Sequence, residues 1–94
     1  MGKATLAHGE SLFAGLNSFE PGQQHALHAH EAQEKLYIVL EGSALVQIAD
    51  QTEELKAGDL AFAAAGVPHA ITNPGPGRLV VMAVLAPPPR AERS

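Results

Sequence analysis

Short apolar segments, separated by glycine, proline and polar residues, run along the whole chain. Residues 79–85 are the most apolar segment, and residues 44–48 alternate between apolar and polar side chains, as a strand with one buried face does. No segment combines a sustained helical period with capping residues at both ends. The pattern predicts about seven or eight strands of ordinary length. The clearest strands cover residues 12–19, 36–40, 44–48, 60–63, 69–72 and 79–85.

So many strands in 94 residues predict an all-β protein, either a sandwich or a small antiparallel barrel that closes to remove its exposed edges. A chain of this length cannot be divided into two units that each bury a useful core. We therefore expect one domain over residues 1–94, with the core at about residues 10–87 and a solvated tail at residues 88–94.

Composition and charge narrow the function classes. The chain has no cysteine, which excludes disulfides, thiolate metal sites and cysteine nucleophiles. Its net charge is −4 and its six basic residues are scattered, whereas binding to nucleic acid needs a clustered basic face. No apolar run approaches the length that spans a bilayer, and the first twelve residues lack a signal-peptide layout. We expect a cytoplasmic protein that binds neither nucleic acid nor membrane.

The placement of the histidines points to metal chemistry. His28 and His30 are two residues apart, so on an extended segment their imidazoles lie on the same face. Glu34 follows closely, and His69 comes much later, directly after a Gly-Val-Pro turn. Three imidazoles and a carboxylate suit iron, manganese, cobalt, nickel, copper or zinc. A lone His-x-His pair is more often a surface feature, and the same alternation makes His25 a surface residue.

The surroundings of these residues resemble the two motifs of the cupin superfamily. The first motif is matched by Gly22, His28, His30, Glu34 and Gly42. The second motif is matched over residues 58–73, where Gly58, Gly66, Pro68, His69 and Asn73 have the family spacing and Ala64 replaces the usual proline. The paired match covers residues 22–73, which is over half of the chain.

The resemblance implies a small antiparallel jelly-roll barrel, a homodimer, and one divalent transition metal per chain. It also implies His28, His30, Glu34 and His69 as the metal ligands. One departure bears on Glu34, which lies one residue further from Gly42 than the family pattern places its acidic ligand. A bulge could turn Glu34 inward. Otherwise Lys35 occupies the ligand position and Glu34 faces solvent; of the two, we favour Glu34.

Three functions fit these features. The first is a metal-dependent enzyme with dioxygenase-like, isomerase or decarboxylase chemistry on a small molecule, and the second is a non-catalytic cupin that binds a metal or small ligand. The third is a barrel that retains the motif only for dimerisation or stability. The predicted lining is rich in alanine and poor in polar groups, which favours a small neutral or apolar ligand.

Histidine ligation makes metal binding sensitive to acid. Imidazole binds a metal only in its neutral form, so metal occupancy should fall as the pH drops below about 6.5. Metal content measured after dialysis at a series of pH values checks this. Full retention of the metal at about pH 4.5 would contradict histidine ligation.

Overall fold

The computed structural model describes residues 1–29 and 31–89. Within these residues the chain forms nine β-strands and no helix, and therefore no helix of the length and apolarity that crossing a bilayer requires. The strands are β1 (Gly2–His8), β2 (Phe13–Phe19), β3 (Gln24–His28), β4 (Glu34–Glu41), β5 (Ser43–Ile48), β6 (Gln51–Lys56), β7 (Leu60–Ala63), β8 (His69–Thr72) and β9 (Leu79–Ala86).

The described strands form two antiparallel sheets. A five-stranded sheet has the order β1-β2-β9-β4-β7, and a four-stranded sheet has the order β3-β8-β5-β6. This arrangement confirms the predicted all-β antiparallel fold. The strand β1 was not predicted, because all seven of its residues are exposed and its sequence carries no pattern of burial. The predicted tail falls partly outside the description, since residues 90–94 are among those not described.

The core lies between the two sheets. In β4 the burial alternates strictly, with Lys35, Tyr37 and Val39 buried and the intervening residues partly exposed, as the two-residue period of a strand requires. The apolar core that these strands enclose consists of Phe19, Tyr37, Val39, Ala44, Val46, Leu55, Ile71, Leu79 and Val81. Burial of these side chains provides the main driving force for bringing the two sheets together.

Asn73 joins the end of β8 to distant parts of the chain. Its buried side-chain amide donates to the carbonyl oxygens of Phe19 and Gly77 at 2.9 Å, and its Oδ1 accepts from the backbone N–H of Gly75. Its backbone also exchanges hydrogen bonds with Gly22 and Gln23, just before β3 begins. These bonds fix the start of β3 against the end of β8, the two strands that carry His28 and His69.

Gly42 makes the tight connection between β4 and β5. Its φ is +86°, and a Cβ at this position would overlap the carbonyl oxygen of Arg78. Only glycine satisfies both conditions without displacing the backbone. The glycine that closes the first motif therefore has a structural explanation that is independent of any ligand.

Candidate functional site

Two of the predicted ligands, His28 and His69, meet between the strands β3 and β8. The strands pair antiparallel with His28 directly opposite His69, and the centroids of the two imidazole rings are 4.4 Å apart. His69 is buried, at 2% exposure, and shares the inward face of β8 with the core residue Ile71. Residues 41 positions apart in the chain are thus brought into ring contact at the edge of the core.

Hydrogen bonds to the backbone orient both rings. Nδ1 of His28 lies 2.7 Å from the carbonyl oxygen of Ala26, and Nδ1 of His69 lies 2.9 Å from that of Val67. A carbonyl oxygen can only accept, so each Nδ1 carries the proton and donates it. In a neutral imidazole the lone pair then resides on Nε2. Metal-binding histidines typically donate their other ring N–H in this way, and the donor set fits a divalent transition metal.

His30 lies outside the described residues. In residues 1–29 and 31–89, no three His, Asp or Glu side chains are grouped closely enough to hold a metal ion. Of the four predicted ligands, the described chain thus brings only His28 and His69 together.

The structure does not bring Glu34 to the two imidazoles. The pairing of β4 with β9 keeps its register from Glu34 to Val39 and shifts only between Val39 and Glu41, so the irregularity of β4 does not turn Glu34 inward. Glu34 is exposed, and its neighbour Lys35 occupies the buried position on the same face of β4 as Tyr37. The structure therefore has the arrangement of the alternative, with Lys35 buried and Glu34 facing solvent, and it does not show the inward-facing Glu34 that we favoured.

Lys35 is an unusual buried cation. Its side chain is 7% exposed, and its Nζ lies 4.9 Å from the centroid of the Tyr37 ring. Within the described part of the chain it forms no ion pair with a carboxylate. Burial, together with the positive charge of Lys3, lowers the pKa of Lys35 from 10.5 to about 8. The side chain of Lys35 can therefore lose its proton and become a neutral amine close to neutral pH.

Tyr37 connects this lysine to the histidines. Its ring is completely buried, with its centroid 6.0 Å from that of His69. Its Oη has no hydrogen-bond partner among the described residues, and burial raises the pKa of the phenol well above its ordinary value. Buried hydroxyl groups are nearly always hydrogen-bonded, so this Oη is an unsatisfied polar atom within the described core.

His25 also faces the interior, although the alternation of the sequence predicted a surface residue. His25 pairs with Ile71 and His28 with His69, so four residues of β3 lie opposite three of β8. This extra residue is a β-bulge, and it allows the side chains of both His25 and His28 to face the interior although they are three residues apart. The His25 ring packs edge-on against Phe19, with the centroids 5.0 Å apart. No feature of the sequence marks the bulge.

A cavity of about 360 Å³ opens beside Lys35 and His25 at one end of the barrel. Its lining includes Lys3 and Thr5 of β1 and Asn17 of β2. Its apolar walls include Phe13, Ala83 and Leu85. This size is sufficient for a small molecule. A more open depression of about 980 Å³ shares Pro89 with this cavity and extends along residues 31–33 and 87–89. Its lining contains His8 and the acidic residues Glu10 and Glu31.

Comparisons with known proteins agree with this architecture. A model of the cupin domain matches residues 15–85. An oxalate-binding protein from Thermotoga maritima is 31% identical over 85 residues, covering 90% of this chain and 69% of that protein. The crystal structure of TT1209 from Thermus thermophilus is 34% identical with a TM-score of 0.90, covering 95% of this chain and 85% of that one. The structure of a predicted oxalate decarboxylase from Thermotoga maritima is 28% identical with a TM-score of 0.78, covering 82% and 67% of the two chains.

The family match spans more than half of the chain and includes both predicted motifs. The structural matches extend the agreement to the two-sheet jelly roll. The resemblance stated from the sequence is thereby confirmed at the level of family and fold: the chain belongs to the cupin family.

Proposed function

We propose that this cupin holds one divalent transition metal inside the barrel and binds a small molecule next to it. The observation that carries the proposal is the pair of inward-facing imidazoles, His28 and His69, each fixed by a backbone carbonyl at Nδ1. His30 is the proposed third ligand, because it follows His28 by two residues and imidazole is the donor type already present. Such a metal supplies a Lewis acid that polarises an oxygen ligand or activates water.

The names of two relatives support a small-molecule ligand. One relative is an oxalate-binding protein, and another is a predicted oxalate decarboxylase. Both names concern a small dicarboxylate, and neither protein is more than about a third identical to this chain. They favour a small oxygen-rich ligand over a macromolecular partner, and they leave both binding and turnover open.

A metal titration tests the proposal. Protein prepared without a histidine tag, stripped with a chelator and dialysed against Zn²⁺, Co²⁺, Mn²⁺, Fe²⁺, Ni²⁺ or Cu²⁺ in turn should retain about one equivalent of at least one of them. Elemental analysis of the dialysed protein gives the stoichiometry. If every metal is retained well below one equivalent, the metal site is refuted.

Turnover of the bound molecule is a second candidate, favoured by Lys35. An amine whose pKa burial lowers to about 8 can exchange a proton near neutral pH, as a general acid or base must. Metal-loaded protein should then consume O₂ with enediols, phenols or diketones, or release CO₂ from small carboxylic acids. A protein that binds the metal and the small molecule but does not convert the small molecule is a binding module.

We also propose a homodimer formed by the outer face of the five-stranded sheet. The strand register places Leu60 beside Ile38 and Phe62 beside Leu36 on this face, with Leu60 59% and Phe62 50% exposed. The apolar surface continues across β9 and β2 through Met82, Val84 and Leu16. A continuous apolar face of this kind is uncommon on a monomer, and a second copy would cover it by two-fold symmetry.

Placing carboxylates on that face should dissociate the dimer. The double variant Leu60→Asp/Phe62→Asp should sediment as a monomer at micromolar concentration, because two charges would be buried without partners. The matched control is Leu27→Asp/Leu45→Asp, which changes two exposed leucines of the four-stranded sheet and should leave the dimer intact. A wild-type chain that is already monomeric contradicts the proposal.

A further inference from the structure

The cavity beside Lys35 is lined by positive charge, and no acidic residue of the described chain lies in its lining. Its charged or titratable side chains are Lys3, His25 and Lys35, and its other polar side chains belong to Thr5 and Asn17. Neither Asp nor Glu contributes to the lining among the described residues, although the whole chain has ten acidic residues and a net charge of −4. The cavity thus concentrates hydrogen-bond donors in a chain that is otherwise acidic.

Lys35 is the most buried of the charged or titratable residues that line this cavity. The side chain is more than nine-tenths buried and lies on the lining, yet it has neither a hydrogen bond nor an ion pair with any described residue. Its ammonium instead contacts the face of the Tyr37 ring. Because ammonium groups of buried lysines are normally paired with an anion, a lysine with no anionic partner among the described residues favours a ligand that supplies the anion.

The effect on His25 shows that the positive charges act together. The pKa of His25 is lowered, mainly by burial and then by the charges of Lys35 and Lys3. These two ammonium groups disfavour a further proton on the imidazole, so the potential inside the cavity is positive. A bound anion would reverse this unfavourable interaction for all three groups.

We infer that this cavity binds a small carboxylate anion, with Lys35 as the charge that anchors it and with Lys3 and His25 at its edge. A carboxylate fits better than a phosphate, because the described lining contains no arginine and no helix N-terminus, while its walls are largely apolar. The inference rests on the proposed function only in taking the barrel interior as a ligand site. It replaces the neutral or apolar ligand that the composition favoured.

The experiment uses the metal-free protein, so that binding to a metal cannot imitate binding to Lys35. Amide chemical shifts are followed by NMR during titration with malonate and, separately, with malonamide, which has the same shape but no charge. Malonate should shift the amides of β1, β2 and β4 around the cavity with saturation, and malonamide should bind at least about 10-fold more weakly.

Two matched variants assign the effect to Lys35. Lys35→Met removes the charge and should weaken malonate binding by at least about 10-fold, with a well-dispersed spectrum showing that it is folded. Lys56→Met removes an exposed lysine, 68% exposed and paired with Glu54, and should leave binding unchanged. If Lys35→Met does not fold, Lys35→Arg, which keeps the charge, should retain the preference for malonate over malonamide.

Three outcomes overturn the inference. They are equal binding of malonate and malonamide, equal affinities in Lys35→Met and Lys56→Met, and tighter binding of inorganic phosphate than of malonate at the same site. These outcomes differ from a failure of the proposed function. If the protein binds malonate but retains no metal, only the proposed metal site is refuted. If it retains a metal but does not bind malonate, only the carboxylate site is refuted.

Discussion

Replacing His69 with alanine should lower the affinity for the bound divalent metal by more than about 100-fold, and replacing His28 should do the same. The two rings are 4.4 Å apart, and each presents Nε2 because its Nδ1 donates to a backbone carbonyl. Losing either imidazole removes one of the three proposed ligands, and the two that remain hold a metal less tightly. Competition with a chromophoric chelator measures the affinity of each purified variant.

The control variants distinguish ligation from general damage. Glu34→Gln should leave the metal affinity unchanged, because Glu34 is exposed and the register of β4 directs it away from the two rings. His8→Ala removes a histidine whose ring contacts Phe13 rather than the other imidazoles, and it should also have no effect. A His28→Ala/His69→Ala double variant that still retains stoichiometric metal would remove the proposed site entirely.

The sequence predicts the meeting of His28 and His69 because two independent patterns point to it. The turn before His69 and the extended segment at His28 place each histidine at a strand end, and the resemblance of the two motifs to those of the cupins implies that these ends meet in one barrel. The strands at residues 12–19 and 79–85 are also predictable, because strands that line the core contain runs of apolar residues that are visible in the sequence. The strand β1 buries nothing, so its sequence has no signal to find.

The parts that the sequence does not predict depend on register. A slip of one residue exchanges the two faces of a strand, so the choice between Glu34 and Lys35 depends on whether a bulge precedes them. A bulge in β3 turns His25 inward, whereas the register shift of β4 lies between Val39 and Glu41, beyond Lys35. Hydrophobic pattern could not decide this, because both candidates are polar. The three-dimensional pairing with β9 settles which of them is buried.

Replacing Lys35 with methionine should stabilise the ligand-free protein at pH 7 by about 2 kcal/mol, which is roughly 10 °C in Tm for a domain of this size. Methionine has a similar length and needs no counter-ion. The drop in the pKa of Lys35 from 10.5 to about 8 corresponds to a burial cost of at most about 3 kcal/mol, part of which hydration through the cavity offsets. Thermal unfolding followed by circular dichroism measures the change.

The exposed lysine again provides the control, since Lys56→Met should change the stability by less than about 0.5 kcal/mol. A destabilised Lys35→Met variant would contradict the prediction, and would mean that contact of the ammonium with Tyr37 outweighs its burial. Added malonate should reduce the difference in stability between Lys35→Met and the wild type, because it stabilises only the wild type. The lysine that the carboxylate requires would then be the same group that lowers the stability of the free protein.

The pH dependence of stability, compared between the wild type and Lys35→Met, tests independently whether the buried charge of Lys35 destabilises the fold. Below about pH 8 Lys35 is protonated in both the folded and the unfolded state, so its burial penalty is fully present. Between about pH 8 and 10 the unfolded state holds more protons at this position, so the stability of the wild type should rise relative to Lys35→Met. The other groups facing Lys35 are Lys3, His25 and Tyr37; they are common to both proteins, and their titration largely cancels in the difference. A difference in stability that stays constant from pH 7 to about 10 would mean that Lys35 does not titrate in this range, and that its ammonium has a partner in the folded protein.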